Sequence, residues 1–157
     1  MNLTLRPIGS DDVRTMQTWR YPEPYQTYDS DSDPGDVELM LTEIASGERW
    51  FAVVDPATDE LAGFLEFVIT DAEVEIGLGL RPDLTGRGLG ASLVETGLAF
   101  ARERWAPRTF ALDVFPWNER AIKVYERAGF VRGDVYTRHF DGGVERRFLR
   151  MARPAAE

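Results

Sequence analysis

Strand-like runs of apolar residues, some alternating with polar ones, recur along the chain and are bounded by turn residues. They cover residues 3–8, 50–54, 61–69, 74–80 and 110–115, followed by two runs on either side of the turn Asp141-Gly142-Gly143. The connections after the second and third of these runs are short and contain Asp55-Pro56 and Thr70-Asp71. Because short connections favour hairpins, we expect these strands to pair antiparallel.

Apolar residues at helical spacing lie between the strands and predict helices. The first helix begins at Ser10, which we expect to cap its N-terminus, and places Val13, Met16 and Trp19 on one face. The others are an amphipathic stretch over 37–47, a long helix over 88–105 and a helix over 118–128 closed by Gly129. This order of elements predicts a mixed, mostly antiparallel sheet with helices on both faces, in the α/β (α+β) class.

Composition limits the kind of protein that the chain can be. It has 157 residues, 43% of them hydrophobic, so we expect a single domain over 1–157 with a full core. It has no cysteine and one histidine, His139, which disfavours a metal site, a thiol nucleophile and a histidine-based triad. The chain lacks a secretory signal at its start, and no apolar run approaches the ~20 residues that span a bilayer. We therefore expect a cytoplasmic protein with no metal and no membrane partner, and we expect His139 on the sheet surface.

Charge argues against one class of partner. The chain carries 18 Lys and Arg against 27 Asp and Glu, a formal net charge of -9. Proteins that bind nucleic acid without sequence preference gain affinity by neutralising phosphates with basic side chains, so we expect no nucleic-acid partner. From Tyr21 to Glu48 the chain contains several acidic residues and no Lys or Arg. This segment is either a solvated surface or a mouth that attracts cationic acceptors.

A glycine-rich turn links the strand over 74–80 to the long helix. It reads Arg81-Pro82-Asp83-Leu84-Thr85-Gly86-Arg87-Gly88-Leu89-Gly90. First-turn amides of a helix have no partner within the helix, and glycines let an anion approach the main chain, so the turn favours a phosphate group. The turn lacks the lysine of a nucleoside-triphosphate loop, and a dinucleotide fingerprint starting at Gly88 fails at its sixth position, Leu93. The alternative is a turn that is glycine-rich only for close packing.

A second block follows the strand over 110–115 and reads Asn118-Glu119-Arg120-Ala121-Ile122-Lys123-Val124-Tyr125-Glu126-Arg127-Ala128-Gly129-Phe130. Together the two blocks resemble the GNAT superfamily of N-acetyltransferases, which has an Arg/Gln-x-x-Gly-x-Gly/Ala loop and an Asn-x-x-Ala-x-x-x-Tyr-x-x-x-Gly-Phe helix. The resemblance covers residues 51–130 well and the first fifty weakly. It implies that acetyl-CoA is the cosubstrate and that its pyrophosphate is bound by Gly86, Arg87, Gly88, Leu89 and Gly90. Thr85 stands where the family has Arg or Gln, and it is a candidate helix cap instead.

The resemblance also implies what other residues do. The strand ending at Leu80 splays from the next strand, the pantetheine arm bonds the main chain near Leu78 and Leu80, and the Leu80 amide holds the thioester oxygen. Asn118 contacts the pantetheine arm, and Tyr125 donates a proton to the departing CoA thiolate. Tyr125 lies about two helical turns after Asn118, so both side chains share a face. The alternative for Tyr125 is packing against Phe130 in the core.

The acceptor amine needs a general base. An amine with a lysine-like pKa of about 10.4 must lose a proton before or as it attacks, and a carboxylate can take it. Glu73 and Glu75 share one strand face with Gly77 and Gly79, whose lack of side chains leaves room for a ligand. We take Glu75 as the base, with Glu73 and Glu66 as substitutes. The alternative is that Glu75 pairs with an arginine across the sheet.

The acceptor site is predicted near the start of the chain, where aromatic and acidic side chains occur together. Both groups attract cations, the aromatic rings by cation–π interaction. The candidate residues are Trp19, Tyr21, Glu23, Tyr25 and Tyr28. Ordinary loop packing is the alternative for the aromatic residues.

These features predict a GNAT-like acetyltransferase domain that transfers an acetyl group directly from acetyl-CoA to a primary amine. The acceptor is a small molecule or a peptide or protein, and the acidic, tyrosine-rich segment favours a small cation. The alternative function is a non-catalytic acyl-CoA-binding sensor. The oligomeric state stays open, with a homodimer among the states considered.

Overall fold

The computed structural model describes residues 2–29, 41–42, 44 and 49–156. The strands of this part of the chain are β1 (Thr4–Pro7), β2 (Trp50–Asp55), β3 (Glu60–Thr70), β4 (Glu73–Leu80), β5 (Thr109–Val114), β6 (Val131–Phe140) and β7 (Val144–Pro154). The helices with defined ends are α1 (Ser10–Met16), α2 (Leu89–Trp105) and α3 (Glu119–Arg127). Of the amphipathic stretch predicted over 37–47, residues 41, 42 and 44 are helical, and the rest lies outside the described residues.

The strands form one seven-stranded sheet in the order β1-β2-β3-β4-β5-β7-β6. Pairing is antiparallel between β1 and β2, β2 and β3, β5 and β7, and β6 and β7, and parallel between β4 and β5. The predicted mixed, mostly antiparallel sheet is thereby confirmed. The parallel register begins where Glu73 pairs with Thr109 and ends where Glu75 pairs with Ala111, although β4 continues to Leu80. Splay of β4 from β5 beyond that point stays a prediction.

Contacts within the chain divide it into two compact units. The first comprises Met1–Glu66 and Leu78–Leu89, and the second comprises Phe67–Gly77 and Gly90–Glu157. The single acetyltransferase domain over residues 1–157 stays a prediction. Among the described residues, no helix is long and apolar enough to cross a membrane.

The core of the first unit includes the apolar face of α1. Val13 and Met16 are each 2% exposed, and Trp19, just after the helix, is 7% exposed. They form one cluster with residues that include Ile8 and Ala52. The predicted helical face is confirmed for Val13 and Met16, whereas Trp19 lies beyond the end of the helix.

The predicted cap of α1 is wrong by one residue. The helix begins at Ser10 itself, and Gly9 is the N-cap residue. Gly9 has no side chain to cap the helix, and the Asp12 carboxylate makes the reverse bond of a capping box by accepting the Gly9 N–H at 2.8 Å. The same carboxylate accepts Arg6 Nη1 at 2.7 Å and Nη2 at 2.9 Å. This bidentate pairing ties the first turn of α1 to β1.

The core of the second unit lies between α2 and its strands. Leu93 and Ala101 of α2 are fully buried, and Gly97 between them is buried as well. Phe110 on β5 and Met151 on β7 are also fully buried. The spacing of the buried residues confirms the long helix predicted over 88–105.

Candidate active site

The glycine-rich turn after β4 has an open backbone. Gly86 and Gly88 have φ angles of 76° and 80°, in the left-handed region that favours glycine. Apart from the glycine itself and its two chain neighbours, none of the described residues has an atom within 4 Å of the position that a Cβ would take at either residue. Residues 86–88 are exposed, and α2 begins directly after them at Leu89. The turn therefore presents main-chain amides at the N-terminus of a 17-residue helix, where an anion is favoured.

Thr85 does not cap α2. Its hydroxyl donates to the carbonyl oxygen of Pro82 at 2.7 Å and closes the 3-10 turn Pro82–Leu84. The expectation of a helix cap at Thr85 is wrong, because the preceding turn offers its hydroxyl an acceptor three residues back. Binding of an anion by the main chain of the turn stays a prediction.

Tyr21 holds the end of β4 in place. Its hydroxyl donates to the carbonyl oxygen of Leu80 at 2.7 Å. The N–H of Arg81, on the same peptide group, donates to the carbonyl oxygen of Ala62 at 2.8 Å. Burial, followed by the charge of Asp29, raises the pKa of Tyr21 well above its usual value, so the phenol remains a donor. Both polar atoms of this peptide group are thus bonded.

The other residues predicted to contact the acceptor differ in exposure. Trp19 packs in the core of the first unit and is 7% exposed, so contact of its ring with an acceptor stays a prediction. Glu23 is exposed, and Tyr25 is half-buried at the start of the 3-10 turn Tyr25–Tyr28. Tyr28 meets the ring of Tyr21 edge-on, with centroids 6.2 Å apart. The acidic positions 31, 33, 36, 38, 43 and 48 lie outside the described residues.

Helix α3 carries the second predicted block. Asn118 is its N-cap residue, is 6% exposed, and accepts the Ala121 N–H at 3.2 Å through Oδ1. The helix gives way at Gly129, whose φ is 93°, as predicted. The ring of Tyr125 is half-buried and meets Phe130 edge-on, with centroids 6.2 Å apart. The packing offered as the alternative for Tyr125 is therefore present, and contacts of Asn118 and Tyr125 with CoA stay predictions.

The carboxylates considered as general bases are all ion-paired. Nη1 of Arg150 lies 3.1 Å from Oε1 of Glu75, and its Nη2 lies 3.0 Å from Oε2 of Glu73. Nη2 of Arg49 lies 3.1 Å from Oε1 of Glu66. The alternative in which Glu75 pairs with an arginine across the sheet is confirmed.

The space expected beside Gly79 is filled. A Cβ at Gly79 would lie 2.2 Å from Cε1 of Phe64, so the phenylalanine ring takes the place of a side chain. A Cβ at Gly63 would lie 2.4 Å from the carbonyl oxygen of Gly79, so the two strands approach closely there. The prediction that Gly79 leaves room for a ligand is wrong, because close packing is the reason for glycine at this position.

The sequence reasoning missed Asp113, an acidic residue within the apolar run of β5. Its side chain is 6% exposed, and the sheet register places it opposite Arg150 of β7. Its Oδ2 accepts the Tyr136 hydroxyl and Nη1 of Arg138, the latter at 3.3 Å. Its Oδ1 is buried, and no donor in the described part of the chain bonds to it. Nη1 of Arg150 lies 3.5 Å from that oxygen.

These side chains form what we call the Arg150 cluster, which lies within the second unit. Its members are Glu73, Glu75, Asp113, Tyr136, Arg138 and Arg150. Burial, followed by the hydrogen bond to Asp113, raises the pKa of Tyr136 to about 12. Burial opposes the charge on Arg150, but the carboxylates around the guanidinium outweigh it and raise its pKa. At neutral pH the phenol is therefore a donor and the guanidinium is charged.

No group of three or more His, Asp or Glu side chains in the described ranges is arranged to hold a metal ion. The side chain of His139 is 72% exposed, with Nδ1 3.1 Å from Oε1 of Glu145, which confirms its expected place on the sheet surface.

Comparison with known proteins gives one family and two kinds of relative. A family model described as the acetyltransferase (GNAT) family matches residues 10–130. A mycothiol acetyltransferase of Streptomyces coelicolor is 40% identical over an alignment of 95 residues that covers 54% of this chain and 29% of that protein. A spermidine N(1)-acetyltransferase of Escherichia coli K12 is 26% identical over 164 residues, covering 96% of this chain and 84% of that protein. The match thus spans less than a third of the length of the mycothiol acetyltransferase.

Solved structures share this fold. A spermidine N-acetyltransferase chimera from Vibrio cholerae and hSSAT has a TM-score of 0.72 and 26% identity, covering 99% of this chain and 97% of that chain. The spermidine N-acetyltransferase from Vibrio cholerae in complex with CoA and spermine has a TM-score of 0.71 and 24% identity, covering 98% and 96% of the two chains. At this identity the second structure shows the fold alone.

Proposed function

Because this chain belongs to the acetyltransferase (GNAT) family, we propose that it is an N-acetyltransferase that moves the acetyl group of acetyl-CoA directly to a primary amine. The observation that carries the proposal is the exposed turn over 86–88 at the start of α2. Close packing, the alternative reason for its glycines, is not supported at Gly86 and Gly88, because the Cβ positions there are open in the described structure. An open turn at a helix N-terminus suits a diphosphate.

The pyrophosphate of acetyl-CoA would bind to the main-chain N–H groups of the turn. The donors are Gly86, Arg87, Gly88, Leu89 and Gly90. The first amides of α2 have no acceptor in their own helix, and the positive end of the helix dipole lies beside them. The exposed side chain of Arg87 adds a positive charge at the same place.

The thioester would lie at the end of β4. Main-chain groups of Leu78 and Leu80 would bond the pantetheine arm as an added strand does, and the Leu80 N–H would stabilise the charge that develops on the thioester oxygen. Support comes from the bonds of Tyr21 and Ala62 to the peptide group that follows Leu80. A hydrogen-bond donor stabilises developing charge most strongly when it is already oriented before the charge develops. The two bonds hold the peptide group between Leu80 and Arg81, which is next to the one that carries the Leu80 N–H.

The reaction needs two proton transfers. Glu75 would take a proton from the acceptor amine, directly or through water, and the amine nitrogen would attack the thioester carbon. When the carbon–sulfur bond breaks, Tyr125 would protonate the thiolate of CoA. A phenol with an ordinary pKa of about 10 can protonate a thiolate whose conjugate acid has a pKa of about 8.5, if hydrogen bonding holds the two together. Asn118 would contact the pantetheine arm while capping α3 through Oδ1.

The acceptor class that we propose is a small cationic amine. The formal net charge of -9 and the acidic segment that begins at Glu23 favour a cation over an acidic peptide. Tyr21, Glu23 and Tyr25 remain the proposed acceptor contacts of the first unit. The relative that matches 96% of this chain is a spermidine N(1)-acetyltransferase, which agrees with this class.

The experiment that tests the function is an acetylation assay with a panel of amines. Polyamines, monoamines, amino sugars and peptides with free N-termini are each mixed with acetyl-CoA and the full chain. Mass spectrometry identifies acetylated products, and release of free thiol measures turnover. We expect a cationic small molecule to gain one acetyl group for each CoA released. Tight acetyl-CoA binding without turnover on any amine would favour the non-catalytic sensor instead.

Replacing Tyr125 with phenylalanine tests the proposed acid. We expect Tyr125→Phe to lower kcat by ~10²-fold, because the thiolate then leaves without its proton donor. The ring contact with Phe130 survives the change, so the fold and the Kd for acetyl-CoA should stay close to wild type. Calorimetry gives the Kd, and unchanged turnover would remove Tyr125 from the mechanism.

Replacing Glu75 with glutamine tests the proposed base. We expect Glu75→Gln to lower kcat/KM by ~10²-fold and to change the acidic limb of the pH–rate profile, because the amine loses its proton acceptor. The matched control is Glu145→Gln, which removes an exposed carboxylate from the same unit. A Glu75→Gln profile that superimposes on that of the wild type would refute the assignment.

A further inference from the structure

The guanidinium of Arg150 marks a point where three carboxylates converge. Nη1 lies 3.1 Å from Oε1 of Glu75 and 3.5 Å from Oδ1 of Asp113, and Nη2 lies 3.0 Å from Oε2 of Glu73. These acids come from β4 and β5, and the arginine comes from β7. A positively charged nitrogen at this point therefore contacts carboxylates from two neighbouring strands.

The bonding of Asp113 is incomplete at the same point. The Tyr136 hydroxyl and Nη1 of Arg138 both donate to Oδ2. Oδ1 is buried and receives no hydrogen bond from the described residues, and the whole side chain is 6% exposed. Buried carboxylate oxygens are normally bonded, so Oδ1 has the capacity for one more donor.

The charges of the cluster do not balance. Three carboxylates, those of Glu73, Glu75 and Asp113, face the two guanidinium groups of Arg138 and Arg150. One negative charge is left in excess at neutral pH. An additional ligand at the cluster would therefore be a cation that also donates hydrogen bonds.

We propose that the Arg150 cluster binds the cationic amine group of the acceptor and that Nη1 of Arg150 occupies this position when no amine is present. An incoming ammonium group would replace Nη1 between Glu75 and Asp113, and one of its N–H groups would bond Oδ1. Nη2 of Arg150 can keep its contact with Glu73 during this exchange. The side chains of Arg150 and Glu75 are 30% and 29% exposed, so the displaced nitrogen has solvent to enter. The inference deepens the proposed function, because it names where the acceptor's charge is bound.

Two substitutions with opposite expected effects test the site. The probe is 1,4-diaminobutane, which carries two positive charges at neutral pH, titrated calorimetrically into the full chain with coenzyme A present. We expect Asp113→Asn to raise the Kd for the diamine about tenfold, because the amine loses a charged acceptor. We expect Arg150→Gln to lower the Kd about tenfold, because the internal competitor is removed while all three carboxylates remain.

The opposite signs separate a binding site from a structural role. A cluster that only stabilises the fold would lose affinity in both variants, and that result would overturn the inference, as would the absence of diamine binding to both wild type and Arg150→Gln. The control is Arg146→Gln, which removes an exposed arginine four residues away on the same face of β7 and should leave the Kd unchanged. Circular dichroism checks folding, and Glu75→Gln replaces Asp113→Asn if the latter does not fold.

The outcome is also separable from that of the proposed function. The measurement of opposite changes in the Kd for the diamine requires no turnover. The binding site can therefore be supported even if no amine is acetylated. Conversely, the wild type could acetylate an amine while both substitutions change the Kd for the diamine in the same direction. That result would support the acetyltransferase function and overturn this acceptor site.

Discussion

Each unit of the molecule contains an arginine–carboxylate cluster, and the two clusters differ in how completely their oxygens are bonded. In the first unit, Asp12 accepts Arg6 Nη1 at 2.7 Å and the Gly9 N–H at 2.8 Å on Oδ2, and Arg6 Nη2 at 2.9 Å on Oδ1. In the second unit, Asp113 receives both of its hydrogen bonds on Oδ2, while Oδ1 has none from the described residues. Both carboxylates are largely buried, with side-chain exposures of 11% and 6%.

The difference indicates that the two clusters serve different purposes. A buried acceptor without a donor costs about 1–3 kcal/mol, so a cluster selected for stability alone should have none. The Asp12 cluster meets that condition and joins β1 to α1. The Asp113 cluster does not, and incomplete bonding of this kind is expected where a ligand completes it.

The largest expected effect on stability comes from the Asp12 cluster, in which both carboxylate oxygens accept hydrogen bonds. Replacing Asp12 with asparagine keeps an acceptor for Gly9 but removes the charge that pairs with Arg6, which is 34% exposed. We expect the free energy of unfolding at pH 7 to fall by about 2 kcal/mol, measured by urea denaturation. The matched control is Asp11→Asn in the same helical turn, where the carboxylate is 90% exposed and little change is expected.

The same prediction has a pH dependence with a definite sign. Burial acts to raise the pKa of Asp12, but the bonds from Arg6 and Gly9 outweigh it and hold that pKa below its usual range. Such a carboxylate stabilises the fold above its unfolded pKa of about 3.9, and the contribution is lost as pH falls through the lowered folded pKa. Wild type and Asp12→Asn should therefore converge in strong acid. If Asp113→Asn proved as destabilising at pH 7 as Asp12→Asn, the two clusters would be alike and the comparison would fail.

Local sequence patterns predicted the elements well, because each depends on neighbours in the chain. The spacing of Leu93, Gly97 and Ala101 placed α2 correctly, and Gly129 marked the end of α3. The error at Ser10 is also local in origin. A serine is the commoner cap, but here Gly9 takes the N-cap position, and its N–H is bonded by the carboxylate of Asp12, the third residue of the helix.

The site was predicted only where its parts are contiguous in sequence. The turn over 86–88 was found from its glycines, since backbone conformation is a local property. The partners of Glu75 and Asp113 depend on which residues the register of β4, β5 and β7 brings together, and Arg150 is distant in sequence from both. A signal for Asp113 was present, a single charge within the apolar strand, but the pattern could not say what it contacts.

The smallest expected effect on stability concerns Oδ2 of Asp113, the oxygen that accepts hydrogen bonds. Replacing Tyr136 with phenylalanine removes one donor to Oδ2 and leaves Arg138, so we expect a loss of about 1 kcal/mol in the free energy of unfolding at pH 7.

The pKa of Tyr136 is raised to about 12 by burial and by its bond to Asp113. A phenol with a raised pKa stabilises the fold below its unfolded pKa of about 10, and the contribution is lost as pH rises toward the folded value. Urea denaturation at several pH values should therefore show a constant difference between wild type and Tyr136→Phe from pH 7 to 9 that shrinks between pH 10 and about 12. A difference that grew over that interval would mean that the folded state favours the phenolate, so that the phenol does not donate to Asp113 and Oδ2 keeps only the hydrogen bond from Arg138.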